Sequence, residues 1–260
     1  MTHGLARRAF AEALGTGLLV LAVIGSGIAA QRLSPGDGGL QLLESAAATA
    51  AALIAIILAV GPVSGAHLNP VVTLADRAFK GLATTEATAY IGAQVVGGAA
   101  GAVVANLMFS LPAVELSTHV RSSGALWLSE VVATFGLLLV IFGVVRSGRS
   151  SVAPFAVGAY IGGAYFFTSS TSFANPAVTL SRTLSNSFAG IAPSSVPAFV
   201  VAQLLGAALA LAAVRILYPS IADVAADVIL RHHSAGGGSQ LATDAGRPHR
   251  RAVLPPEEVR

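Results

Sequence analysis

The chain of 260 residues has no cysteine, one tryptophan and two methionines, and only 10% of it is Asp, Glu, Lys or Arg. Without cysteine there is no disulfide frame, no thiolate metal site and no thiol nucleophile. An ordinary soluble domain carries about 25% charged residues. With 54% hydrophobic residues and a mean hydropathy of +0.75, a soluble globule of this composition would expose too much apolar surface to water. A disordered chain is excluded for the same reason. Also lacking are a phosphate-binding loop, a nucleophile–base pair and a cluster of metal-ligating side chains. The sequence therefore indicates no enzyme, no metal and no cofactor. Its net charge of +3 does not amount to a nucleic-acid-binding patch. What remains is an integral membrane protein with lipid as its partner.

The scarce charges are unevenly placed. Residues 219–260 hold five basic and five acidic side chains, a Gly-Gly-Gly run and Pro255-Pro256. This stretch has no apolar periodicity after about Leu230 and is expected to be a flexible cytoplasmic tail. Residues 1–218 break into six apolar stretches, at about 9–30, 39–60, 86–109, 125–145, 152–171 and 196–218. A membrane helix needs about 20 such residues to cross about 30 Å of hydrocarbon. Arg7 and Arg8 before the first stretch resemble the start of a signal peptide. That stretch is too long for one, however, and its pattern recurs later in the chain. Arg7, Arg8, Arg77, Lys80, Arg146 and Arg149 all fall on one side of a six-helix arrangement. The positive-inside rule then puts both termini in the cytoplasm of a multi-pass inner (plasma) membrane protein.

Two halves of the chain echo each other. Ala11-Glu12-Ala13-Leu14-Gly15-Thr16 matches Ser129-Glu130-Val131-Val132-Ala133-Thr134. Asn69-Pro70-Val71-Val72-Thr73-Leu74 matches Asn175-Pro176-Ala177-Val178-Thr179-Leu180, and Ala93-Gln94 matches Ala202-Gln203. The order is the same in both halves, which predicts repeats over about 9–109 and 125–218. With three spanning helices per repeat, the second copy must cross in the opposite sense. Such inverted repeats place a functional site near the middle of the membrane.

Each Asn-Pro pair opens an apolar segment too short to span. Asn is a favoured helix N-cap, and Pro is favoured at the first helical position. A helix that starts inside the membrane is a half-helix reached by a re-entrant loop. It is tolerated where its bare backbone is shielded or lines a water-filled cavity. The inverted repeat brings two such N-terminal ends together, each with about half a positive charge. Cations are repelled there, while the Asn69 and Asn175 amides can donate hydrogen bonds to a neutral solute.

These residues resemble the aquaporin, or major intrinsic protein, family over positions 9–218. The family's Ser-Gly-x-His-x-Asn-Pro-Ala-Val-Thr signature stands here as Ser64-Gly65-Ala66-His67-Leu68-Asn69-Pro70-Val71-Val72-Thr73, with Val71 in place of Ala. The resemblance implies an all-α membrane protein of six transmembrane helices and two re-entrant half-helices, in an inverted 3+3 repeat. It also implies a homotetramer with one pore per subunit. Glu12 and Glu130 match the family's helix-borne glutamates and are expected to support the re-entrant loops. His67 is expected to pack against its loop and line the cytoplasmic vestibule.

The family usually carries an Arg directly after the second Asn-Pro-Ala. Val178 stands there instead, as in a bacterial branch of the family. Offsets from the two Asn residues put the other constriction positions near Thr49, Gly163 and Ser172. These small side chains imply a wide constriction without fixed charge. Arg182, seven residues beyond Asn175, lies two helical turns outward on the same face and is a candidate charge for the outer mouth. Asp76 holds the matching position in the first repeat, where Lys80 could pair with it at i+4. The function expected is passive conduction of small neutral solutes, with glycerol, urea and undissociated metalloid acids such as As(OH)3 as candidates. A water-selective pore is one alternative. A secondary active transporter is another, since such proteins also use inverted repeats.

Overall fold

The structure, a computed structural model, describes residues 4–219. Apart from Pro219, the tail expected at 219–260 lies outside the described residues. Among the described residues, eight α-helices follow in order: α1 (Leu5–Leu33), α2 (Gly38–Ser64), α3 (Pro70–Ala78), α4 (Thr84–Met108), α5 (Gly124–Arg146), α6 (Ala153–Phe167), α7 (Pro176–Ser181) and α8 (Val196–Leu217). Among the described residues, α1, α2, α4, α5 and the segment Pro193–Leu217, which contains α8, are long and apolar enough to cross a membrane. α6 has 15 residues and is preceded by a 3₁₀ turn, Ser150–Val152. At about 1.5 and 2.0 Å of rise per residue, the two together reach about 28 Å. α3 and α7 are the expected half-helices, at nine and six residues.

The packing repeats as the sequence does. α1 lies against α2 and α4, as α5 lies against α6 and α8. α3 contacts α4 and α8, while α7 contacts α8 and α4, so each half-helix is held by both repeats. Small residues set the closest crossings. A Cβ at Gly97 would collide with the Ala13 carbonyl oxygen, and one at Gly206 with that of Val131. Ala13 and Val131 occupy matching places in the repeat, so both halves bring two helix backbones together in the same way.

Burial is inverted relative to a water-soluble domain. Glu12, Glu130, Gln94 and Gln203 are fully buried, whereas Phe10, Val96 and Ile216 are 68%, 70% and 80% exposed. The apolar outer surface suits lipid, and the polar groups meet one another inside.

Candidate functional site

The re-entrant loops bend through left-handed backbone at matched places. Gly65, Ala66 and Leu68 have positive φ before Asn69, and Thr171, Ser172 and Ala174 have it before Asn175. For a non-glycine residue this conformation costs about 1–2 kcal/mol. It turns loop N–H groups onto the helix carboxylates, which offsets that cost. Glu12 accepts from Ser64 Oγ (2.6 Å), His67 N (2.9 Å), Leu68 N (2.7 Å) and Gln94 Nε2 (2.8 Å). Glu130 accepts from Phe173 N (2.9 Å), Ala174 N (2.9 Å) and Gln203 Nε2 (2.6 Å). Each Gln also donates to the threonine of its half-helix, Gln94 to Thr73 (3.0 Å) and Gln203 to Thr179 (2.9 Å). Gln94 and Gln203 were visible as repeat-matched polar residues, but only the fold shows that they join carboxylate to half-helix.

The loops are tied to each other through the asparagines. Asn69 Nδ2 donates to Ala174 O and Asn175 Nδ2 to Leu68 O, both at 2.8 Å. Their Oδ1 atoms cap α3 and α7, accepting from Val71 N (3.0 Å) and from Ala177 N and Val178 N (3.0 and 3.2 Å). Pro70 and Pro176 open the half-helices. An amide nitrogen carries two protons, so one N–H of each Asn remains beyond its bond to the opposite loop.

Both asparagines line one cavity of about 630 Å³, open mouth included. Its wall includes His67 and Ala66 from the first loop, Ser172 and Phe173 from the second, and Val178 and Arg182 beyond Asn175. Leu19, Leu53 and Ile141 are among its apolar lining, and no Asp or Glu is among the described residues that line it. Thr49 also lines it, with its Oγ1 3.1 Å from Tyr165 Oη. Position 178 brings no charge to the wall. The charge on the cavity comes from Arg182, which is only 3% exposed.

Gly163 does not join Thr49, Ser172 and Val178. The face of α6 on the cavity is Val157, Ile161 and Tyr165, spaced four apart, while Gly163 is exposed. Two residues from Ile161 is about 200° around a helix, which turns Gly163 to the far side. On α6 it is Tyr165, a large side chain, that lines the cavity, and not the small residue expected at 163. The 157–161–165 spacing was the signal for it. Phe173 was also missed, since loop residues carry no periodicity.

Asp76 faces His67 rather than Lys80. Its Oδ2 lies 3.8 Å from His67 Nε2, while His67 Nδ1 is 3.1 Å from Thr73 Oγ1 and the ring meets Tyr90 edge-on. Lys80, exposed and with positive φ, follows the end of α3 and so is off the helical i+4 register. Glu44 accepts from Ser34 Oγ (2.7 Å) near the start of α2.

At the Arg182 end, the 109–123 connection and the 183–192 segment pair through their backbones. Ser117 N donates to Thr183 O (2.9 Å) and Ala192 N to His119 O (2.8 Å). Arg121 fastens the same segment, donating from Nε to Gly190 O (2.9 Å) and from Nη2 to Phe188 O (3.1 Å). Burial lowers the Arg121 guanidinium from its ordinary value, partly countered by Glu130 and Tyr165.

Inverted repeats, facing half-helices and a cavity lined by both of their asparagines define a helical membrane pore. The family model of the major intrinsic proteins matches residues 1–174. The chain is 51% identical to the aquaglyceroporin AqpS of Rhizobium meliloti over 211 residues, 81% of this chain and 90% of that protein. It is 30% identical to a probable aquaporin, AqpM, of Archaeoglobus fulgidus over 237 residues, 80% of this chain and 95% of the relative. The X-ray structure of the aquaglyceroporin from Plasmodium falciparum shares the fold, with a TM-score of 0.64 at 22% identity, covering 84% of this chain and 99% of that one. The protein belongs to the major intrinsic protein family, whose members are channels and not enzymes.

Proposed function

We propose that the protein is a passive channel for small neutral solutes of glycerol size, in which Asn69 and Asn175 orient the solute midway and Thr49, Tyr165, Ser172 and Val178 shape the constriction. The observation that carries this reading is a cavity lined by both asparagines, with no carboxylate among the described residues on its wall. The N-terminal ends of α3 and α7 meet there and oppose cations. A carboxylate that carried a coupling ion would have to reach the solute path. Glu12 and Glu130 instead are fully buried and bonded to loop N–H groups. This favours a channel over a secondary active transporter.

Val178 leaves the constriction without the long side chain that relatives usually carry there, which supports passage of glycerol, urea and undissociated As(OH)3. The similarity to a rhizobial aquaglyceroporin supports the glycerol reading. Both termini lie in the cytoplasm, by the distribution of Lys and Arg, and four copies assemble with one pore each. Swelling of proteoliposomes under gradients of glycerol, urea and As(OH)3 tests the solute range. Glycerol-driven swelling well above empty vesicles is expected. Water flux with none of the larger solutes passing would overturn the reading.

A further inference from the structure

Arg182 is the one charged side chain on the cavity wall among the described residues. It sits immediately after α7, at the start of a 3₁₀ turn (Arg182–Leu184). Its Nε donates to Ala189 O, and its guanidinium carbon lies 3.4 Å from the centre of the Phe173 ring. These two contacts fix the plane of the group. A guanidinium has five N–H donors, and only Nε is bonded in the structure. No ion pair to Arg182 is present among the described residues. Arg121 lies over the same Phe173 ring at 5.3 Å and takes the carbonyls on either side of Ala189. Three successive carbonyls, from Phe188 to Gly190, thus hold two cations at one end of the pore.

A buried guanidinium with unbonded donors needs acceptor oxygens, since leaving such donors dry is costly. The open face available to it is the cavity. We propose that Arg182 is the specificity-determining cation of this pore: its Nη groups hydrogen-bond the oxygens of each passing solute, and its unpaired charge turns cations back. The position one helical turn earlier, Val178, can do neither. The solutes selected are neutral molecules that present several lone-pair oxygens to a planar donor group, such as polyols, ureas and undissociated oxyacids. This rests on the channel reading above and adds which residue sets its selectivity.

The test uses the full-length protein in liposomes, with glycerol, water and methylammonium fluxes measured for wild type, Arg182→Gln and Arg182→Lys. Wild type is expected to pass glycerol and exclude methylammonium. Arg182→Gln removes the charge, and methylammonium flux is expected to rise about tenfold or more, in line with the focusing of charge in a low-dielectric cleft. Arg182→Lys keeps the charge and loses the planar fork. It is expected to go on excluding methylammonium while its glycerol-to-water ratio shifts several-fold. Wild-type selectivity in both variants would overturn the proposal and leave Arg182 as an anchor for Ala189. If Arg182→Gln does not fold, the lysine variant decides, because an unchanged glycerol-to-water ratio overturns the claim and a shifted one supports it. A wild type that conducts neither water nor glycerol would overturn the channel reading itself, and this inference with it.

Discussion

Glu130 has three donors aimed at its two oxygens, two of them loop N–H groups. Glutamine at this place would turn an NH₂ group toward at least one of them. Losing one hydrogen bond to a charged group costs about 1.5–3 kcal/mol, so Glu130→Gln is expected to lower the melting temperature in detergent by about 3–10 °C. The Ala174 carbonyl that holds Asn69 sits in the same loop, so glycerol flux should fall as well. An unchanged melting temperature and flux would show that Glu130 does not brace the loop. That Glu130 and Glu12 need donors was legible, since a lone carboxylate in an apolar helix must find a partner; that the donors are loop N–H groups is seen in the fold. The place of Arg182 on the cavity wall was legible only as a direction along a helix. A spacing of seven says which way a Cα faces, but the route of a long side chain depends on what it meets, here Phe173 and the Ala189 carbonyl.

Helices meet closely where a side chain is absent. At Gly97 an added methyl would collide with the backbone of α1 at Ala13, and backbone cannot step aside as a side chain can. Gly97→Ala is therefore expected to cost about 1–3 kcal/mol or more through overpacking, read as a lower melting temperature and less folded protein. Gly163→Ala provides the contrast. Its new Cβ would come no nearer than 3.7 Å to Phe167, and the residue is turned away from the cavity. Stability and the glycerol-to-water ratio should both stay at the wild-type value. A changed ratio would place Gly163 back on the pore. The two glycines look alike in the sequence, because a helix that is apolar all round gives no sign of which face it turns to lipid. α6 is such a helix, and Tyr165 was hidden within it for that reason.

Across the whole molecule, two repeats of opposite sense share one cavity, and each half-helix is clasped by both. The lipid-facing surface is apolar around the bundle, and basic residues cluster at the ends of the chain segments assigned to the cytoplasm. Reporter fusions at the N and C termini should both report the cytoplasmic side. A reporter exposed on the opposite side at either end would overturn the orientation. The same preparation, weighed by native mass spectrometry in detergent, should show four copies.

Composition alone determined that lipid is the solvent, since 10% charge cannot cover a globule. The repeat determined the inverted architecture, and the doubled Asn-Pro determined two half-helices that start within the membrane. These are local or periodic signals, carried by residues close together in the chain. The tertiary structure decided what depends on residues far apart. It paired Asn69 with Ala174 and Asn175 with Leu68, turned Tyr165 rather than Gly163 to the cavity, and brought the Arg182 guanidinium onto the wall where Val178 leaves none. Each of these is set by which surfaces the two repeats press together, and no single stretch of sequence contains both sides of such a contact.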